Sequence, residues 1–367
     1  MEFAIDKKLF ASSLKKLSSV VKNNDINNVY AYIKIDCNEE EIFLYANNEI
    51  MGARITLNTN ITIKKTGSID IEYSTFSKII DKISSDKITL KVENNSLLII
   101  DNKFTITLNL YNEQEIEELD FSIQDKEKFV LNEKILTEIN KKVVISCIKN
   151  KDDITPYRGV YASNERIDGI IEFVCTDTCQ LSYMKFPYEC KQKFSLILFP
   201  VLLSLLNSVP TDAYCYIASN RIICQQDNII YNCALVEGKY QSAIKIIESN
   251  PPCSVYINNN ALINCIEKAI IVGGNDVRAN FSFNTDKVVI SCQNIERGVY
   301  LEDISYTKEE GIEQPIKLIS NPSRLLSLLK CIDGENVLIQ FTSSLSPILI
   351  KDEKNQNFIA LTLPLRR

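Results

Sequence analysis

One pattern of residues is written three times along this chain of 367 residues. The segments FAIDKKLFASSLKKLSS from Phe3, FVLNEKILTEINKKVVI from Phe129 and VYINNNALINCIEKAII from Val255 open alike, each 126 residues after the one before. Each begins with strand-like alternation and meets Asp6, Asn132 or Asn258, short polar residues suited to cap a helix. Each then continues with the spacing of an amphipathic helix. Phe10, Leu136 and Leu262 correspond, as do Leu17, Val143 and Ala269. A long fixed period constrains the fold more than local propensity does, because equivalent segments should adopt equivalent structures.

Two further sets recur in the same order. SIDIEYSTFSKIIDKI, FSLILFPVLLSLLNSV and IKLISNPSRLLSLLKCI each predict a short strand leading into a helix, with Ser74, Pro200 or Asn321-Pro322 near its start. DKITLKVENNSLLII, DAYCYIASNRIICQQ and ENVLIQFTSSLSPILI alternate with period two and predict hairpins turning at Asn94-Asn95, Ser219-Asn220 and Ser343-Ser344. Polar stretches at 112–126 and 248–252 place module boundaries at 1–122, 123–250 and 251–367. Each module would hold two helices and about eight strands. The predicted class is α+β, with helices on one face and antiparallel sheets on the other. Stacked modules would extend their sheets edge to edge and leave two end strands open to pairing. Two chains joined end to end would remove both edges.

Composition excludes much chemistry. There is no histidine, so Ser-His and Cys-His nucleophile pairs and His-ligated metals are ruled out. Neither GxxxxGK[ST] nor GxGxxG occurs. The twelve cysteines include no CxxC pair, so no metal site or other cofactor is expected. The start MEFAIDKKLF carries charges where an export signal would be apolar, which predicts a cytoplasmic protein whose cysteines are small buried hydrophobes rather than disulfides. Residues 194–211 are uncharged, but their apolar centre is short and contains Pro200. They are equivalent to the charged segment 68–85, so a strand followed by a helix is expected there, not a membrane span.

Charge is segregated. The formal net charge is −6, yet the predicted helices 7–22, 74–84, 132–147, 200–209, 259–269 and 322–332 sum to +9. Cationic helices on a negative body would hold a polyanion on the helical side through salt-sensitive contacts that carry no sequence information. Solvated helix faces would account for the same lysines. A partner-binding scaffold and an enzyme are the competing classes; the lysine-rich helices argue against the first and the missing catalytic groups against the second.

The order of MEFAIDKKLF, the central RGVYA, VCTDTCQLS, ALVEGKY, SPILI and the terminal LTLPLRR resembles the bacterial DNA polymerase III beta subunit, the sliding clamp, over the whole length. That family carries G-[VM]-L, T-D-G-H-R-L-A, V-D-G-[RK]-[FY]-P and M-P-[VM]-R-[LI] elements. The resemblance implies half of a closed ring, a head-to-tail homodimer that threads duplex DNA, and no catalysis. It implies as partners the replicative polymerase alpha subunit, the clamp loader, repair polymerases, ligase and mismatch-repair proteins.

By position, the resemblance implies a peptide pocket at Pro156, Tyr157, Thr176, Thr178, Cys179, Gln180, Leu181, Lys245, Ile246, Leu345, Pro347, Leu361, Leu363, Pro364, Leu365 and Arg366. It implies DNA contacts at Lys15, Lys16, Lys22, Lys78, Lys82, Lys141, Lys142, Lys149, Lys151 and Lys330. It sets a dimer seam of Ile79, Ile83, Phe104 and Ile106 against Ile271 and Val272. The sequence departs from the family at Thr178-Cys179-Gln180, where the motif has Gly-His-Arg, at Gln241 for Pro, and at Ile154 and Asn24 for Arg. A changed peptide preference is expected.

Overall fold

The computed structural model describes residues 1–21, 29–110, 116–148, 155–240, 244, 246–274 and 278–365. The chain forms two compact units, Met1–Glu133 with Val201–Leu235, and Lys134–Pro200 with Val236–Arg367. Among the described residues each holds two sheets, whose strand pairings are antiparallel.

In the first unit a five-stranded sheet contains the N-terminal strand Glu2–Asp6 and ends at Thr105–Asn109. The eight-stranded sheet runs from Lys128–Leu131 to Gly67–Glu72. It joins strands of the first two sequence repeats where Ile229–Ala234 pairs with Met51–Leu57, Tyr231 opposite Ala53. The helices α1 (Lys7–Leu17) and α2 (Tyr73–Lys82) pack together. Phe10 lies edge-on to Phe3 at 6.3 Å and to Phe76 at 5.9 Å, and all three rings are buried. Each such ring contributes about 1.5–3 kcal/mol by leaving water.

The nine-stranded sheet of the second unit runs from Ser195–Leu198 to Lys308–Glu310. It joins strands of the second and third repeats where Gln180–Pro187 pairs with Phe358–Thr362. Its four-stranded sheet ends at Gly298–Ser305. Further helices along the chain are α3 (Glu133–Lys142), α4 (Pro200–Asn207), α5 (Asn259–Gly273) and α6 (Pro322–Leu329). The uncharged stretch is indeed the strand Ser195–Leu198 followed by α4, and no helix among the described residues is long and apolar enough to cross a membrane.

Local signals act as expected in several places. Asp6 accepts the Leu9 N–H at 2.8 Å, and Asn258 accepts that of Ala261 at 3.0 Å. Asn94 and Asn95 take positive φ of 48° and 60°, which lets Glu93 face Ser96 across a tight turn.

Three expectations need correction. Helix α1 stops at Leu17 instead of residue 22, because Ser18 hydrogen-bonds back to Lys15 through backbone N–H and hydroxyl alike. The third hairpin has no two-residue turn. Phe341 and Ile348 end their strands, and the loop between is folded by the Ser346 hydroxyl, which accepts the N–H groups of Thr342 (2.9 Å) and Ser343 (2.8 Å). Finally, Cys147 and Cys175 form a disulfide across 28 residues, with Cα atoms 5.5 Å apart. The fold brings them together, whereas their spacing gave no sign of it. Eight other cysteines are buried free thiols, as expected, and Cys179 and Cys190 are half-exposed.

Candidate functional site

In the second unit the strands carrying TDTCQL and the terminal LTLPL lie side by side. Leu181 faces Leu361, and Leu361 faces Leu349 on its other side, which makes an apolar row across three strands. Val174, Tyr183, Ile197, Tyr240, Ile244 and Ile247 complete the buried floor, with Tyr157 and Tyr161 packed against it. Tyr240 is the centre. Its ring meets Tyr157 edge-on at 5.2 Å and stacks on Tyr161 at 5.6 Å. Its hydroxyl donates to the Gly159 carbonyl at 2.9 Å and accepts the Thr176 N–H at 3.3 Å. Burial pushes the Tyr240 phenol well above its ordinary pKa, so it stays neutral.

Gly238 in the ALVEGKY element makes this packing possible. Its φ is +135°, and a Cβ there would come within 2.6 Å of the Pro156 Cβ. The turn before Leu181 is held by Thr176, whose hydroxyl donates to the Gln180 carbonyl at 2.6 Å and accepts the Thr178 N–H at 3.0 Å. The Cys179 carbonyl accepts the Leu363 N–H at 2.8 Å, and Leu365 donates to the Ile319 carbonyl at 2.7 Å, so the C-terminal segment is pinned along the strand ends.

Beside it opens a cleft of about 810 Å³ lined by Pro315, Ile316, Lys317, Ile319, Thr342–Leu345 and Leu365. Leu345 is 68% exposed on the folded loop, and Ile246 and Leu363 are also exposed. Thr176, Gln180, Leu181 and Leu361 are buried, and Pro156, Tyr157, Cys179, Pro347, Pro364 and Leu365 are half-buried. Lys245 and Arg366 lie outside the described residues. The sequence expectation missed Tyr240 and Ile247 in the floor and the Ile316–Ile319 wall. The ALVEGKY element pointed at Tyr240; nothing local pointed at the wall.

The lysines divide. Lys15, Lys78, Lys82, Lys141 and Lys330 are exposed. Lys16 donates to the Asn228 side chain at 3.2 Å, while Lys141 pairs with Asp333 at 2.8 Å and Lys330 with Glu267 at 2.9 Å. Lys22, Lys149 and Lys151 lie outside the described residues. Lys142 corrects the sequence expectation: it is fully buried, bonded to Asp333 and to Glu138 at 2.9 Å, with its ammonium 5.7 Å from the centre of the Phe358 ring. Burial favours its neutral form, but the two carboxylates outweigh that and raise its pKa. Such a group cannot meet an external phosphate; it braces α3 against the loop at Asp333.

Two end strands carry exposed apolar side chains. On Thr105–Asn109 and its approach, Phe104 is exposed and Ile106 half-exposed. On Gly298–Ser305, Val299 and Leu301 are each at least 70% exposed, and Ile295 and Ile271 nearby are likewise bare. Ile83 is buried within its own unit, so it is withdrawn from the expected seam, while Ile79 and Val272 are half-exposed.

Two family models match this chain: the N-terminal domain of the DNA polymerase III beta subunit over residues 1–120, and the C-terminal domain of the same subunit over residues 245–366. Together they span about two thirds of it. The chain belongs to the beta sliding clamp family. Beta sliding clamps of Mycoplasma genitalium and Mycoplasma pneumoniae are each 25% identical over 384 and 389 aligned residues, covering 100% and 99% of this chain and 100% of theirs. Among solved structures, the DNA polymerase III beta chain of Streptococcus pneumoniae gives a TM-score of 0.91 at 21% identity, covering 100% of both chains. The Helicobacter pylori beta clamp bound to a DNA ligase peptide gives 0.85 at 17%, again covering 100% of both.

As a divergent sliding clamp, the chain departs from the family motif at the TDTCQL turn. Thr178 takes φ +72°, a left-handed conformation that the glycine of the resembling motif adopts freely. A β-branched residue there stores about 1–3 kcal/mol of strain.

Proposed function

We propose that this chain acts as a DNA sliding clamp built of three modules, 1–122, 123–250 and 251–367. Two copies close a ring around duplex DNA, and an apolar groove tethers replication and repair partners to it. Processivity then follows from topology: a partner held on a closed ring cannot diffuse away from the strand it copies. No bond is made or broken, so the chain is not an enzyme and takes no cofactor.

The observation that carries this reading is the open cleft lined by Ile316, Ile319, exposed Leu345 and Leu365, beside the buried Leu181–Leu361–Leu349 row packed with Tyr240. An apolar floor flanked by exposed leucines and a few polar rim groups suits a short peptide with Leu or Phe anchors. The polymerase alpha subunit, the clamp loader, repair polymerases, mismatch-repair proteins and ligase are the proposed donors of such peptides. A DNA ligase peptide on the Helicobacter pylori clamp supports the last.

Exposed Lys15, Lys78, Lys82, Lys141 and Lys330 would supply weak, sequence-independent phosphate contacts compatible with sliding. Lys22, Lys149 and Lys151 belong to the same proposal by position. The ring would close by pairing Thr105–Asn109 of one copy with Gly298–Ser305 of the other, bringing Phe104 and Ile106 toward Ile271, Val299 and Leu301. Deleting residues 363–367 should abolish binding of a Leu/Phe-bearing peptide while the chain still runs as a dimer in analytical ultracentrifugation. Undiminished peptide affinity would place the groove elsewhere.

A further inference from the structure

A covalent tie lies directly behind the groove. Cys175 is the residue before Thr176, and Cys147 follows the turn Val144–Ser146 that rests on the strand pair carrying TDTCQL. Hydrogen bonds run beside the disulfide. The Gln180 side-chain amide donates to the Ile145 carbonyl at 3.2 Å, the hydroxyls of Ser146 and Ser182 meet at 2.7 Å, and the Ile148 N–H donates to the Tyr157 carbonyl at 3.3 Å. The segment closed by the cystine contains Pro156, Tyr157 and Tyr161, all at the groove. One end of the tie therefore fixes Thr176, which sets the 176–180 turn and meets Tyr240. The other end fixes the segment that hydrogen-bonds to Tyr157.

We propose that Cys147–Cys175 is a redox latch on the partner groove: the disulfide form holds its walls ready for an apolar peptide, and the dithiol form binds the same peptide more weakly. This rests on the groove reading above. The physical reason is preorganisation. With the bond closed, the two walls cannot drift apart, so less ordering remains to be done when a peptide docks. With it open, the Val144–Ile148 segment keeps those hydrogen bonds and its packing on the strand pair but loses the covalent restraint.

The chemistry is thiol–disulfide exchange. Cys175 is wholly buried and Cys147 is 7% exposed, so the exchange is written with attack at the Cys147 Sγ. A thiolate of a small dithiol attacks that sulfur, the S–S bond breaks, and Cys175 leaves as a thiolate and takes a proton. The second thiol of the reductant then displaces Cys147. Two electrons and two protons pass to the chain, and the reductant ends as its own disulfide. Exchange with a small-molecule disulfide such as oxidised glutathione runs the steps in reverse.

The test uses the full chain, equilibrated with oxidised glutathione or with dithiothreitol, and a fluorescent synthetic peptide carrying Leu and Phe anchors. Non-reducing digestion and mass spectrometry should find a Cys147–Cys175 linked fragment only in the oxidised sample. Fluorescence anisotropy should show peptide binding 5- to 10-fold weaker after reduction. Cys147→Ser should bind like the reduced chain under both conditions; if that variant does not fold, the comparison of the two wild-type forms decides alone. Failure to form the linked fragment overturns the latch, as does equal affinity in the two forms with the fragment present. Binding in neither form overturns the groove reading and the latch with it.

Discussion

Lys142 offers the sharpest separation between a lysine that holds the fold and the lysines proposed to meet a polyanion. Its ammonium is fully buried and bonded to Asp333 and Glu138, so Lys142→Ala removes one cation, leaves Glu138 facing a void and leaves Asp333 with Lys141. Breaking a buried ion pair from one side costs about 3–5 kcal/mol. Here the acids retain solvent access, with Glu138 23% and Asp333 44% exposed, and each can rehydrate. The cost then falls toward about 2–3 kcal/mol. For a folding unit of this size, 1 kcal/mol moves the melting temperature by about 2–4 °C, so scanning calorimetry should record a fall of roughly 4–12 °C. Retention on DNA below that temperature should be unchanged, because the buried group touches no phosphate. An unshifted melting temperature together with weakened DNA retention would refute the assignment and return Lys142 to the DNA face.

The remaining predictions concern the same elements. The Lys142–Asp333 brace should depend on pH at both ends. Hydrogen bonds from Lys141 and Lys142 outweigh the opposing effect of burial and lower the Asp333 pKa, so its contribution is complete above the ordinary carboxyl value of 3.8 and is lost as pH falls through the lowered one. Lys142 is raised, so its contribution is complete below 10.5 and is lost as pH rises through the raised value. The melting difference between wild type and Lys142→Ala should therefore shrink at both extremes; a difference that stays constant down to strongly acid pH would contradict this. Gly238→Ala should lose peptide binding by anisotropy and destabilise the chain in urea titration by about 1–3 kcal/mol, since the added carbon meets Pro156. Thr178→Gly should raise stability by about 0.5–1 kcal/mol, as relief of left-handed strain exceeds the entropy cost of glycine. Leu301→Asp on the exposed end strand should yield monomers in ultracentrifugation with an unchanged circular dichroism spectrum.

What the sequence disclosed and what it hid have separate physical causes. The 126-residue period located helices and hairpins because caps such as Asp6 and Asn258 and turns such as Asn94-Asn95 act within a few residues of themselves. Lys142 was hidden because a Lys-Lys pair at a helix end reads as solvated, and its partner Asp333 lies 191 residues away. The cystine was hidden because the charged start of the chain argued against disulfides and the 28-residue spacing of Cys147 and Cys175 matches no local motif. Val299 and Leu301 alternate with Tyr300 and Glu302, a pattern that reads as a half-buried strand, and only the sheet order reveals that the strand ends its sheet. The Ile316–Ile319 wall became visible only once the third hairpin proved to carry a folded loop in place of a tight turn.

Encirclement is the centre of the account, and its direct measure is retention on a closed path. The chain would be loaded on nicked circular DNA with the proposed clamp loader, freed of the loader by gel filtration at moderate salt, and followed before and after one restriction cut. A ring held by topology stays with the circle and leaves within the dead time once an end is available. Equal persistence on circular and linear DNA would contradict it.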